Sequence, residues 1–403
     1  MKGSTGLLFY LLISSAVFAQ TNVIFSEQRF SDQDAVLVSD HAGRVIYAWQ
    51  SDQLFIPASL TKILTSYLAI DKWSLSHRFI TDFYLIGSQL WVKGYGDPYL
   101  IAEEIDQIVT QLSKFNLEQI NSIHIDASYF SDQPVPGRSS VADPYNAPLS
   151  AVAANFNTVF VQKKGTQLVS AEIQTPLTAT AKKLAALNQG LLKSGQKARV
   201  NLVNSNNAQM NFAEILAIKL GRPSASVHIN QSLPKIGSPN YRHLNSHSLE
   251  SVLTGAMKYS NNFIANQTFL KLAEQANTSS VSFASAQAYL EQILTDKFDW
   301  PEAAILEGAG LSRSNKLSAQ QIDQLLVHLD PYKHIFKEII KLDGAKVFAK
   351  TGTLNGISNY AGYIDFPQQQ YRFVFMFNRS TSYGYRDRML QQLVEELSVM
   401  EIQ

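Results

Sequence analysis

The sequence predicts an α+β protein in two parts: a composite domain built from both ends of the chain, and a mixed domain inserted between them. Three observations predict it. Strand-like, β-branched segments stand near the start and cluster again near the end of the chain. Helix-period patterns follow the first group and precede the last. Between them, residues 77–243 change to short alternating segments separated by turn-rich stretches. The length of 403 residues also exceeds what one compact core normally holds.

Residues 1–19 read as an export signal. Lys2 gives the positive start, Gly6–Ala19 the apolar run, and Val17 and Ala19 the small residues before a cut at Gln20. The run is shorter than the about 20 apolar residues of a membrane span, so no transmembrane anchor is expected. The chain has no cysteine, which removes disulfides, thiol chemistry and lipid attachment at Cys. Together these predict an exported, periplasmic protein, soluble or loosely membrane-associated.

The composite domain is expected from residues 20–76 plus 244–403. It opens with strands at Ala35–Val38 and Arg44–Ala48 around a His41-Ala42-Gly43 turn. Pro57 then starts a helix whose apolar stripe is Leu60, Ile63, Leu64, Tyr67, Leu68 and Ile70. The insertion carries alternating segments such as Ser122–Asp126 and Asn157–Val161. Helical patterns return at Ser248–Ala276, Phe283–Phe298 and Ser318–Leu329. Strands follow at Val347–Lys350, Asn359–Asp365 and Tyr371–Phe377, and the tail Arg386–Met400 reads as an amphipathic helix.

Composition narrows the function. Apolar residues are 45% and charged residues 17%, a globular balance. With 34 basic and 33 acidic side chains the net charge is +1, so charge makes no case for nucleic acid or an anionic membrane. His243 and His247 lack the pattern of a metal site and read as a plain loop, and Gly94-x-Gly96 lacks the rest of a dinucleotide fingerprint. No metal and no cofactor is expected.

Three short strings carry the chemistry: Ser59-Leu60-Thr61-Lys62, Ser260-Asn261-Asn262 and Lys350-Thr351-Gly352, followed by Thr353. They supply a nucleophile, a proton acceptor, a polar bridge and a cationic anchor, the parts of a serine acyl-transferase. Each has decoys, since Ser-x-x-Lys recurs at Ser194–Lys197 and Ser232–Lys235. Only Ser59 combines a helix start, a lysine on the same face and an apolar stripe to bury the helix. Pro234 interrupts one decoy, and Gly195 marks a helix end at the other. The alternative reading of Ser260 is a helix cap, and Tyr259-Ser260-Asn261 offers a second register. Lys350 ends an apolar strand segment whose edge can pair with an extended peptide.

With these motifs the chain resembles the penicillin-binding protein and serine β-lactamase superfamily, and within it the low-molecular-mass class C penicillin-binding proteins, the D-alanyl-D-alanine carboxypeptidase/endopeptidase family. The likeness extends to Phe55–Ser59, Val92–Pro98, Asp143–Ala151 through Asn157, and Glu307–Arg313. Glu307 and Ala309 stand where the family usually has Asp and Ser. The spacing of 260 − 59 = 201 positions from Ser59 to Ser260 implies a trimmed insertion.

The resemblance implies a transpeptidase-like fold, an antiparallel sheet flanked by helices. It also implies acyl transfer at peptidoglycan peptides with D-Ala-D-Ala ends or D-Ala cross-links, with β-lactams as covalent inhibitors. Ser59, Lys62, Ser260 and Asn262 would be catalytic; Lys350, Thr351, Gly352 and Thr353 would bind substrate. The alternatives are a β-lactamase or esterase of the same fold, or a catalytically silent peptidoglycan-binding or scaffold protein.

Overall fold

The computed structural model describes residues 24–402, apart from 139–142, 188–191, 276–277 and 343. The expected export segment, residues 1–19, lies outside the described residues. Three sheets organise the described residues. The largest has six strands in the order β11-β12-β13-β14-β1-β2, every neighbouring pair antiparallel. β1 (Asp34–Asp40) and β2 (Val45–Trp49) come from the start of the chain. β11 (Lys337–Leu342), β12 (Ala345–Leu354), β13 (Ile357–Asp365) and β14 (Gln370–Phe377) come from its end. Asp34 pairs with Phe377 and Asp40 with Tyr371, so both ends of the chain meet in one sheet.

Both faces of β1 are covered, because its alternate residues serve different cores. Val36 and Val38 join Phe373, Phe375 and Phe377 under α9 (Tyr385–Ile402). Ala35 and Leu37 face the opposite cluster, with Leu64 and Leu68 of α1 (Thr61–Trp73) and Leu325 of α8 (Ala319–Leu329). The Ser318 hydroxyl caps α8 and Gln321 returns the bond, which fixes where that helix begins.

The inserted block holds a five-stranded sheet, β10-β3-β4-β5-β9. Its strands are β3 (Arg78–Ile86), β4 (Gln89–Gly94), β5 (Ser122–Asp126), β9 (Ser226–His228) and β10 (Tyr241–Ser248). Pairing is antiparallel through β10, β3 and β4 and parallel through β4, β5 and β9. The parallel step follows from α2 (Ala102–Leu112), which carries the chain back between β4 and β5. Against this sheet also packs α4 (Ser205–Lys219).

A small antiparallel sheet, β7-β6-β8, has its own core with α3 (Ala179–Leu187). Its strands are β6 (Thr158–Lys164), β7 (Gln167–Ser170) and β8 (Lys197–Asn201). The five-stranded sheet, by contrast, shares one apolar cluster with α1 and α5 (Leu249–Lys258). The border drawn from sequence at residue 243 falls inside β10. His243 and His247 therefore lie in a strand rather than a loop, at 2.9 and 3.3 Å from the buried Glu104 carboxylate.

Candidate active site

The long helical pattern after Ser248 divides in two. α5 ends at Lys258, and α6 (Asn262–Leu272) begins after a break at Tyr259-Ser260-Asn261. Ser260 has φ +55°, a left-handed conformation a non-glycine residue adopts only when its surroundings hold it there. The Asn261 side chain accepts from Ile264 N and so caps α6. The cap is not Ser260, whose hydroxyl instead accepts from Lys350 Nζ at 2.9 Å. Asn262, one residue into the helix, faces α1. The register that reaches the lysine is thus Ser260 and Asn262, not Tyr259 and Asn261.

Ser59 sits in a single 3-10 turn, Ala58–Leu60, ahead of α1, and Ala58 before it also has positive φ, +48°. Lys62 follows within one turn and is fully buried. Its Nζ lies 3.0 Å from Ser59 Oγ, 2.7 Å from Asn262 Oδ1 and 2.7 Å from Ala309 O. The last two partners only accept. A neutral amine therefore spends both its N–H bonds on them and turns its lone pair to the Ser59 hydroxyl. Burial holds Lys62 well below the usual lysine range and the Lys350 cation pushes it further down, with Glu307 pulling the other way.

Two glycines permit this crowding. A Cβ on Gly310, whose φ is +84°, would lie 1.8 Å from Ala58 O, so only glycine lets the loop after Glu307 press on the Ser59 turn. A Cβ on Gly352 would lie 2.7 Å from Pro57 O. Asn359 of β13 secures the same turn, donating to Ile56 O and Pro57 O at 2.9 and 3.0 Å.

Glu307 is fully buried, and its carboxylate accepts from the backbone N–H groups of Ala309, Gly310, Leu311 and Ser312 and from Asn315 Nδ2. It thereby shapes the loop that presents Ala309 O to Lys62. Replacing Glu307 with Ala strands those donors in the interior, each at about 1–3 kcal/mol. The expected result is a lower urea midpoint together with slower acylation. Unchanged acylation at full stability would show that the loop holds its shape without the carboxylate.

β12 supplies the facing wall. Its last pair with β11 is Ala349 with Lys337, so from Lys350 to Leu354 that edge carries no strand among the described residues. Lys350 is 2% exposed, and burial followed by the Arg386 charge brings it down to about 7. Ser59, Ser260, Asn262 and Thr353 line a cleft of about 1080 Å³. Every residue predicted for the site thus gathers around that cleft or along its β12 wall. Gly352 contributes close approach rather than a contact surface.

A sequence model of the D-Ala-D-Ala carboxypeptidase 3 (S13) family matches residues 22–342. The chain belongs to that family. The match contains Ser59, Lys62, Ser260 and Asn262, and Lys350–Thr353 follow just beyond it. Membership makes the protein a serine-type D-Ala-D-Ala carboxypeptidase and favours that reading over a β-lactamase, an esterase or a silent scaffold.

Among relatives of this D-Ala-D-Ala carboxypeptidase, a D-alanyl-D-alanine carboxypeptidase of Actinomadura sp. (strain R39) is 20% identical over 413 residues, covering 85% of this chain and 77% of that protein. The crystal structure of penicillin binding protein 4 (dacB) from Haemophilus influenzae superposes with a TM-score of 0.71 at 19% identity, covering 90% of this chain and 96% of that one. A penicillin G-acylated predatory endopeptidase of Bdellovibrio bacteriovorus gives 0.52 at 14% identity, covering 91% of each chain. These structural likenesses establish the penicillin-binding fold.

Three contributors escaped the sequence reading in this carboxypeptidase. Ala309 acts through its carbonyl, which no side-chain pattern reports. Tyr145 O accepts from Asn262 Nδ2 at 3.1 Å, again through the backbone. Arg386 donates to Thr353 Oγ1 at 2.6 Å from the first turn of α9, where the pattern showed only an amphipathic helix. Among the described residues no helix is long and apolar enough to cross a membrane. No group of three or more His, Cys, Asp or Glu residues among them is placed to hold a metal.

Proposed function

We propose that the protein cleaves the terminal D-Ala-D-Ala bond, or the equivalent D-Ala cross-link, of peptidoglycan peptides through a Ser59 acyl-enzyme. The observation that carries this reading is the Lys62 amine, held by two pure acceptors with its third direction on Ser59 Oγ. Lys62 takes the hydroxyl proton as Oγ bonds to the penultimate carbonyl carbon. The N–H groups of Ser59 and Thr353 hold the oxyanion. As the C–N bond breaks, the proton passes through Ser260 to the departing amine. Asn262 orients Lys62 and the substrate amide. Lys350 and Thr351 hold the departing carboxylate. Water then attacks the ester carbon and restores Ser59.

The same acylation consumes a β-lactam, which makes β-lactams covalent inhibitors. The bare edge of β12 supports an extended substrate laid along it by backbone hydrogen bonds. Site and substrate agree with an exported enzyme working outside the cytoplasm on the cell wall. The test is incubation with purified peptidoglycan fragments and mass analysis of the products. Loss of one alanine or of a cross-link is the expected result, and the ratio of the two measures the carboxypeptidase and endopeptidase shares. Unchanged fragments would overturn the reading.

A further inference from the structure

β12 borders two cavities. The cleft already described takes in Ser59, Asn262 and the far end of the strand, Thr353–Asn355 by way of Leu354. A second cavity of about 440 Å³ takes in the near end, Lys350 and Thr351, with Lys258, Lys337 and Arg386. Ser260 lines both. A peptide laid along β12 with its scissile carbonyl at Ser59 therefore places one half in each. The half next to Ser260 and Lys350 is the departing one on the mechanism above. Its cavity is lined by four cationic side chains against the carboxylates of Glu338 and Asp387, a surplus that favours an anion.

We infer that Arg386 is a specificity-determining residue, which joins Lys350 and Thr351 in binding the carboxylate of the departing residue and orients the Thr353 hydroxyl toward it. The inference rests on the peptidase reading of Ser59 and deepens it. Arg386 Nη1 donates to Thr353 Oγ1 at 2.6 Å. A guanidinium has donors only, so the Thr353 hydroxyl must accept there and donate its own proton elsewhere. Arg386 thus fixes Thr353 as a donor for the substrate. The guanidinium lies over the Tyr360 ring at 5.5 Å, which restrains its plane. Its ion-pair partner among the described residues, Asp387, is 3.9 Å from Nε, beyond hydrogen-bonding distance. That leaves N–H groups for a planar carboxylate. Arginine also stays charged at every working pH, whereas a buried lysine readily loses its proton.

The experiment compares two substrates, a peptide ending in D-Ala-D-Ala as the free acid and the same peptide as its C-terminal amide. The readout is the ratio of their kcat/KM values in the wild-type, Arg386→Gln and Arg386→Lys proteins. Arg386→Gln should reduce the acid-to-amide ratio by roughly tenfold to a hundredfold, the scale of one charge-assisted hydrogen bond. Arg386→Lys should keep part of it. An equal fall on both substrates with the ratio intact would assign Arg386 a structural role and overturn the inference, as would no change on either. A wild-type protein that cleaves neither peptide fails differently, because it removes the peptidase reading itself.

Discussion

The Ser59→Ala protein should take up no penicillin, with intact-mass analysis showing the unmodified chain where the wild type gains one adduct. Peptide hydrolysis should fall by about 10⁵- to 10⁶-fold, the scale on which serine hydrolases lose rate with their nucleophile. The substitution removes one hydroxyl whose contact is with Lys62, so the fold is expected to stand. Ser194→Ala and Ser232→Ala serve as internal controls, since each belongs to the same Ser-x-x-Lys pattern. Ser194 Oγ accepts from Gly165 N beside the positive-φ turn at Gly195, which makes it a turn residue. Ser232 lies in a stretch without helix or strand. Both variants should label like the wild type. Labelling that survives Ser59→Ala would mean that another residue is the nucleophile.

How much of this was legible depended on the distance over which the information acts. The helix behind Ser59 announces itself because its apolar stripe and Pro57 are local, and α1 indeed buries that stripe. The β1–β2 hairpin and β12–β14 read well for the same reason: β-branched and aromatic residues concentrate there. β10 did not, because its exposed residues alternate with polar ones that are buried by contacts far along the chain. His243 is buried against Glu104, and Asn245 against Asp97. Nor could periodicity show that β5 pairs in parallel with its neighbours, since that depends on how α2 returns the chain.

At the site the same division holds. Ser59 and Lys62 are three positions apart and share a helix face, so their meeting follows from helical geometry. Asn262 and Lys350 reach the site only through tertiary packing; the resemblance chose the Asn262 register, and Lys350 was read from the strand segment it ends. The Ala309 carbonyl and the Glu307 cradle leave no motif of their own. Ala309, where the family usually has Ser, costs the Lys62 contact nothing, because that contact is made by the backbone.

Lys62 governs the second large effect. Lys62→Met should slow acylation by about 10²- to 10⁴-fold, the usual contribution of a positioned base, while leaving Ser59 in place. The wild-type pH profile should show the same group. On the proposed mechanism neutral Lys62 is the active form, so kcat/KM should rise as pH climbs through its pKa, which burial and the Lys350 charge depress. On the same mechanism charged Lys350 is the binding form, so kcat/KM should fall as pH climbs through about 7. A bound substrate carboxylate favours the Lys350 cation, so the falling limb of kcat should lie at higher pH than that of kcat/KM. Removing the cation with Lys350→Met takes away one of the two influences that depress Lys62, and the rising limb should then move to higher pH. Stopped-flow acylation by a chromogenic cephalosporin across pH reads that limb directly. If it stays where it is in Lys350→Met and persists in Lys62→Met, it belongs to another group, and Lys62 is not the base.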